Sequence, residues 1–148
     1  MNNLYFKKIN KINLFIKSFL HYLLNVRGYS YYDQLRLSLA FLIYVINFRK
    51  FAGHSLGYAI PGNDLLKIKT RDGYAFYIRP KTSDITMATF ALERYELERW
   101  FKPHAKGIVV DVGAHIGSYT VRACKHANIV IAIEPDEESY NILSKNVI

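Results

Sequence analysis

Two short apolar runs without alternation, Ile108–Val112 and Ile129–Ile133, are the clearest hydrophobic pattern in the sequence. Runs of this kind are typical of parallel strands that are buried on both faces. Gly113 and Gly117 follow the first run, and the 11 residues between Gly117 and Ile129 are enough for one crossover helix. The pattern therefore predicts a βαβ unit.

A spacing of three and four residues governs residues 1–50. It is carried by Ile9, Ile12, Ile16, Phe19, Leu23 and Val26, and it predicts an amphipathic helix that ends near Gly28. A second helix is predicted from about Asp33 to Arg49. Its apolar stretch, residues 37–48, would span about 18 Å as a helix, well short of the ~30 Å hydrocarbon core of a membrane. A membrane span is therefore not expected.

The middle of the chain predicts a small accessory layer. Residues 65–70 and 74–79 have the composition of strands, and Asp72-Gly73 between them is a strong hairpin signal. Ser83 or Asp84 can cap a following helix. The apolar face of that helix would hold Ile85, Ala88, Leu92 and Tyr95, with Glu98 four residues before Lys102 on its exposed side and Trp100 near its end. The chain thus divides into a helical segment (residues 1–52), the accessory layer (53–106) and the βαβ unit (107–148).

The polar residues of the βαβ unit predict a site for a ribose-containing cofactor. Glu134 follows the second strand, 21 residues after Gly113. Because parallel strands end at the same edge of a sheet, its carboxylate should lie beside the glycine turn and accept hydrogen bonds from ribose hydroxyls. His115 stands where a dinucleotide fingerprint requires glycine, which disfavours a pyrophosphate. Asp111 would attract the ammonium of S-adenosylmethionine, directly or through water.

Each of these residues also fits an ordinary structural role. Gly113 and Gly117 suit a tight strand-to-helix turn without a ligand, and Asp111 suits a cap of that turn. Glu134 suits the acidic N-terminus of the next helix, and His115 suits packing or hydrogen bonding. The residues alone leave both interpretations open.

From Gly107 to Ile148 the chain resembles the FkbM family of S-adenosylmethionine-dependent methyltransferases. The family motif V-D-V-G-A-H-I-G-x-Y-T matches residues 110–120, and the second motif, with A-x-E-P at residues 132–135, is matched by residues 131–135 and 141–146; a fainter match lies at 79–85. The resemblance implies an α/β, Rossmann-like class I methyltransferase fold. It also implies S-adenosyl-L-methionine as cofactor and a hydroxyl of a sugar, glycan or secondary metabolite as acceptor. By position, the cofactor-binding residues would be Asp111, Gly113, Ala114, His115, Gly117 and Glu134; none maps onto a catalytic base.

Only the first βαβ unit of such a fold is recognisable in the 148 residues. We therefore expect an incomplete enzyme, the N-terminal portion of a methyltransferase, which is inactive as it stands. Two other classes share parts of the pattern. One is an NAD(P)-dependent oxidoreductase, which His115 disfavours, and the other is a non-catalytic remnant that binds membrane surfaces.

Charge is concentrated in residues 1–50, where eight Lys or Arg face one Asp, against twelve and eleven in residues 51–148. A nucleic-acid substrate is not expected, because a basic groove would line the site itself. The basic segment, with eleven Tyr or Phe, suits either a peripheral membrane contact or a cover for the methyltransferase core. No secretory signal is recognised, which favours a cytoplasmic protein. The single Cys124 excludes an intramolecular disulfide, and its divergence from His126 on a helix makes a metal site unexpected.

Overall fold

Helices surround two small sheets in this chain. The computed structural model describes residues 2–93 and 101–148. In chain order the elements are α1 (Asn2–Asn25), β1 (Val26–Gly28), α2 (Tyr31–Ile46), α3 (Phe48–Phe51), a 3-10 turn (Leu56–Ala59), β2 (Leu66–Thr70), β3 (Ala75–Ile78), α4 (Asp84–Glu93), α5 (Lys102–His104), β4 (Ile108–Val112), α6 (Ser118–Ala123), β5 (Ile129–Ile133) and α7 (Glu137–Val147).

The first helix ends earlier than the apolar spacing predicts. Asn25 is its last residue, and its side-chain amide donates to the carbonyl of His21 at 2.8 Å. Val26, which was predicted to lie on the helix face, instead pairs with Thr70 in an antiparallel ladder. That prediction was wrong because an apolar residue at this position fits a helix stripe and a strand equally well. Gly28 marks the end of β1 and not a helix cap.

A capping box starts α2 two residues before the predicted position. The Ser30 hydroxyl accepts from the Asp33 amide, and the Asp33 carboxylate accepts from the Ser30 amide. The helix ends at Ile46, and Arg49 belongs to the short α3. No helix in residues 2–93 and 101–148 is long and apolar enough to cross a membrane.

The predicted hairpin is present. β2 and β3 pair antiparallel, and β1 adds to β2, giving a three-stranded sheet of order β1-β2-β3. Gly73 takes a φ of +89° in the turn, a conformation that favours glycine. The helix predicted after the hairpin begins at Asp84. Its expected continuation through Tyr95, Glu98 and Trp100 lies outside the described residues.

One hydrophobic core joins the three predicted segments. Its fully buried members include Leu37 and Tyr44 of α2, Phe76 of β3, Ile85 of α4 and Ile116 beside the second sheet. The inner faces of α1 and α2 pack against the accessory layer.

The second sheet is the predicted parallel pair, with Val110 opposite Ile131 and Val112 opposite Ile133. The chain is thus of mixed α/β class. The crossover contains only the six-residue α6, because Cys124–His126 form a turn after it. The prediction that both strands are buried on both faces was wrong for the described residues. One face is half-buried, whereas the other exposes six aliphatic side chains: Ile108, Val110, Val112, Ile129, Ile131 and Ile133.

Candidate functional site

The glycine turn after β4 folds across the carboxyl end of β5. The amides of Gly113 and Ala114 both donate to the carbonyl of Ile133, at 2.9 and 3.1 Å. The Gly117 amide donates to the Ala114 carbonyl at 2.8 Å, which closes the turn before α6 begins. The loop that joins β4 to α6 is therefore attached directly to the residue that precedes Glu134.

Three residues of the turn have left-handed backbone conformations. Gly113, His115 and Gly117 have φ values of +78°, +51° and +87°. Glycine adopts this region readily, whereas a histidine there is strained unless its surroundings hold it. Glu134 stabilises this conformation of His115, because the His115 amide donates to Oε2 of the carboxylate at 2.7 Å.

The Glu134 carboxylate bridges two backbone segments. Its Oε1 accepts from the Asp136 amide at 2.9 Å, while Oε2 accepts from His115. A carboxylate can accept about four hydrogen bonds, so half of its capacity remains for further donors. The side chain is half-buried at the end of β5. The structure thus places Glu134 beside the glycine turn, as the order of the two parallel strands predicts.

Asp136, and not Glu134, caps the helix that follows. The Asp136 carboxylate accepts from the Ser139 amide at 2.8 Å, the N-cap geometry of α7. Hydrogen bonds from Ser139 hold the pKa of Asp136 below its usual range, and the positive charge of Arg79 acts in the same direction. Glu134 lies outside the helix, but its carboxylate accepts from the amide of this N-cap residue, so the structural role and the ligand-binding role both stay open for it. The sequence signal for this cap is Asp136 directly before two glutamates.

Asp111 lies near the end of β4 and is half-buried. One carboxylate oxygen, Oδ2, accepts from the Thr120 hydroxyl at 2.5 Å. This bond fastens α6 to β4 and leaves Oδ1 for another donor. The sequence interpretation did not assign Thr120 a role, although Thr120 is the last residue of the matched motif.

The two glycines of the turn differ in what surrounds them. A Cβ built on Gly117 would lie 2.6 Å from Cδ1 of Leu143, so Gly117 lets α6 pack closely on α7. A Cβ built on Gly113 meets no atom within 4 Å. Gly117 therefore has a packing role, whereas the backbone of Gly113 is open to close approach. Ala114, between the strand and His115, is buried.

His115 carries a polar atom whose partner is missing in the described structure. Its Nδ1 is buried and makes no hydrogen bond with the described residues. A buried polar atom without a partner is costly, and such atoms concentrate at functional sites. The imidazole is therefore able to bond a polar group of a ligand at the turn.

Arg79 ties the accessory layer to the site, a link that the sequence interpretation missed. Its guanidinium pairs with the buried Asp84 at 2.9 Å and reaches Glu138 and the Ser139 hydroxyl at 3.3 and 3.2 Å. The hydrogen bond to Asp84 raises the pKa of Arg79. Asp84 and Thr82, at the start of α4, thus anchor Arg79 through its guanidinium and its carbonyl. The described contacts of these two residues do not reach the glycine turn.

Cys124 is exposed, and no group of His, Cys, Asp or Glu able to hold a metal ion occurs among the described residues.

No family model, no curated protein and no solved structure matches the chain. The support for a site at the glycine turn is therefore its geometry and the motif residues.

Proposed function

We propose that the glycine turn and Glu134 form the methionine and ribose side of an S-adenosyl-L-methionine site, in a methyltransferase resembling the FkbM family. The observation that carries the proposal is the hydrogen bond from the His115 amide to Glu134. It fixes a carboxylate with spare acceptor capacity against a left-handed turn at the end of two parallel strands. Ligands of open α/β sheets bind at this edge.

The residues present fit this cofactor. Glu134 would accept from the ribose hydroxyls, and the free Oδ1 of Asp111 would attract the ammonium of the amino-acid end. The open backbone at Gly113 lets that end approach, and the buried Nδ1 of His115 suits a polar group of the ligand. An acid at Asp111 is unfavourable for phosphates, which supports S-adenosylmethionine over a dinucleotide.

The reaction we propose is O-methylation of a sugar, glycan or secondary-metabolite hydroxyl. When bound, the cofactor supplies an electrophilic methyl group. The contribution of this chain is to hold and orient the cofactor, because catalysis of methyl transfer depends on alignment of the reacting atoms. Asp111 and Glu134 would fix the amino-acid end and the ribose of the cofactor relative to the turn.

Amide NMR of the isotopically labelled chain with S-adenosylhomocysteine tests the proposal, because it detects even weak binding. We expect shift changes centred on the amides of Gly113, His115 and Asp136, and smaller or no changes with NAD⁺. Glu134→Gln should weaken binding by about 2 kcal/mol, roughly thirtyfold, because the charged acceptor is lost. The remaining amide shifts show whether the turn stays folded in that variant.

Glu137→Gln is the matched control, since it removes the same charge from an exposed side chain in the first turn of α7. It should leave the affinity unchanged. Absence of shift changes at the turn, or a preference for NAD⁺, would overturn the proposal.

A further inference from the structure

The outward side of α2 is apolar although it faces solvent. Leu37, Ala40 and Tyr44 bury one side of the helix in the core. On the other side Leu35, Leu39, Leu42, Val45 and Ile46 are 44–69% exposed. A surface helix normally carries polar residues at these positions. The packing of the described residues therefore does not account for the apolar residues on the outward side of α2.

The first helix repeats this arrangement. Tyr22 is buried, and its hydroxyl lies 2.7 Å from that of Thr86 on α4. The opposite stripe of Ile12, Ile16, Leu20, Leu23 and Leu24 is 40–68% exposed. Together, the exposed aliphatic residues of α1 and α2 are called here the helical apolar face.

A groove of about 500 Å³ lies between α1 and α2. Phe19, Leu23 and Val26 line it from the first helix and β1, and Gln34, Ser38 and Phe41 line it from α2. The ring centroids of Phe19 and Phe41 are 5.6 Å apart. Leu23 belongs to both the groove and the exposed stripe of α1, so the groove continues the apolar surface of the first helix.

Four exposed cationic side chains lie on α1 or on the elements that directly follow α1 and α2. Lys17, Arg27, Arg49 and Lys50 are exposed, and none of them forms an ion pair within the described residues. Arg27 also lines the groove. These four side chains, called here the cationic rim, complement an anionic partner.

Asp33 is the one acidic residue in residues 1–50, and its carboxylate binds backbone amides of the protein. Its carboxylate accepts from the Ser30 amide in the capping box and from the Lys67 amide of β2 at 3.2 Å.

Tyr31 and Tyr32 are exposed at the start of α2. Tyrosines are common where a protein contacts the polar layer of a membrane.

We propose that the helical apolar face docks the protein onto an anionic lipid bilayer. The aliphatic stripes would enter the interface between headgroups and acyl chains, and the cationic rim would contact the acidic headgroups. A helix pair that lies in the interface needs no spanning segment, in agreement with the lengths of the two stripes.

Flotation of the full chain with vesicles tests this proposal. We expect association with phosphatidylcholine vesicles that contain phosphatidylserine, weaker association with phosphatidylcholine alone, and weakening by salt. Replacing Leu35, Leu39 and Leu42 by Gln keeps helix propensity and should abolish flotation. Arg27→Gln should lower the partition coefficient by about fivefold.

The second exposed apolar surface of the chain provides a matched control. Val110→Thr with Ile131→Thr changes residues of similar exposure on the strand face and should leave flotation unchanged. Equal loss in this variant, equal binding to neutral vesicles, or retained flotation of the triple Gln variant would overturn the proposal. So would sedimentation showing a dimer that only the triple variant dissociates, because the face would then bind a second copy. Circular dichroism checks that each variant keeps its helices.

Discussion

Tyr44 of α2 has a fully buried phenol side chain. Its hydroxyl donates to the His54 carbonyl at 2.9 Å, and its ring stacks on Phe15 and Phe51 at 4.9 and 5.8 Å. Burial raises the pKa of Tyr44 from 10.0 to about 12, because the charged phenolate is poorly solvated there. The folded state therefore holds this proton more tightly than the unfolded chain does.

This pKa predicts an alkaline loss of stability. The contribution is fully present below pH 10, the unfolded value, and is lost as the pH rises towards about 12. Tyr44→Phe should lose about 1 kcal/mol at neutral pH with the hydrogen bond, yet its stability should fall less steeply above pH 10. Urea denaturation across this range measures both effects. Tyr140→Phe, at an exposed side chain, is the control; equal alkaline slopes in wild type and Tyr44→Phe would contradict the assignment.

The glycines of the turn give a second prediction at this scale. Gly117→Ala combines a φ of +87° with a Cβ 2.6 Å from the buried Leu143, and should cost about 3 kcal/mol. Gly113→Ala, with a φ of +78° but no neighbour, should cost about 1 kcal/mol. Chemical denaturation compares them, and Leu143→Ala should reduce the difference in the double variant. Equal losses would mean that backbone conformation alone governs both positions.

At the same scale, the sequence indicated where Glu134 lies but not which backbone amides it binds. Its placement beside the glycine turn follows from chain order, because parallel strands end together. The bonds from the His115 and Asp136 amides depend on the detailed path of the loop, which no spacing rule specifies. The bond between Thr120 and Asp111 likewise requires knowing how α6 turns against β4.

Among the elements, β4 and β5 were predicted to the residue, whereas the end of α1 was not. Each of the two continuous apolar runs is followed by a residue that ends a strand, Gly113 or Glu134, so the pattern defines where each strand ends. At Val26 the local pattern supports a helix, but pairing with β2 decides the outcome. A tertiary contact also decides the residue at position 28, since a Cβ on Gly28 would lie 2.1 Å from the amide nitrogen of Gln34. A close approach to α2, not a helix end, requires this glycine.

The hairpin, α4 and α6 are held together by the buried Arg122. Its guanidinium donates to Asp72 in the hairpin turn at 2.7 and 3.2 Å, to the Ala88 carbonyl of α4 at 3.1 Å and to the Ser118 carbonyl at 2.7 Å. The Tyr74 and Phe76 rings lie 5.2 Å from its central carbon. No pattern in the sequence indicates this link, because the partners of Arg122 are far apart along the chain.

Arg122→Met should therefore destabilise the protein by about 3 kcal/mol, because a partly buried carboxylate and two backbone carbonyls lose their donor. Asp72→Asn should cost less, since the remaining bonds of Arg122 persist. A double-mutant cycle from denaturation curves should give a coupling of about 1–3 kcal/mol between them. Arg71→Met, at the exposed neighbour in the turn, is the control and should change stability by less than about 0.5 kcal/mol. A loss below about 1 kcal/mol in Arg122→Met would show that the hairpin is held by apolar packing alone.

For the molecule as a whole, local pattern and burial carry different information. Hydrophobic periodicity predicted most elements, because it records which residues avoid water. It does not record which neighbour covers them. The face of Ile108, Val110 and Val112 is as apolar as a buried strand, yet within the described residues nothing packs over it. The outward stripe of α2 is apolar in the same way.

The strand face leads to the last prediction. Val110 and Ile131 are opposite each other and are 55% and 48% exposed, so replacing both by Thr removes apolar surface without removing packing. Threonine keeps the β-branched shape that a strand favours. We expect the free energy of unfolding to change by less than about 0.5 kcal/mol.

Binding of the dye 1-anilinonaphthalene-8-sulfonate and self-association in sedimentation should both fall in this double variant, because exposed aliphatic strands and free edges promote association. Ile68→Thr, at a fully buried position of β2, is the matched comparison and should cost about 2 kcal/mol or more. If the double variant is destabilised as strongly as Ile68→Thr, the strand face is covered in solution. Unchanged dye binding would instead place the accessible apolar surface on α1 and α2, the same surface that the vesicle experiment probes.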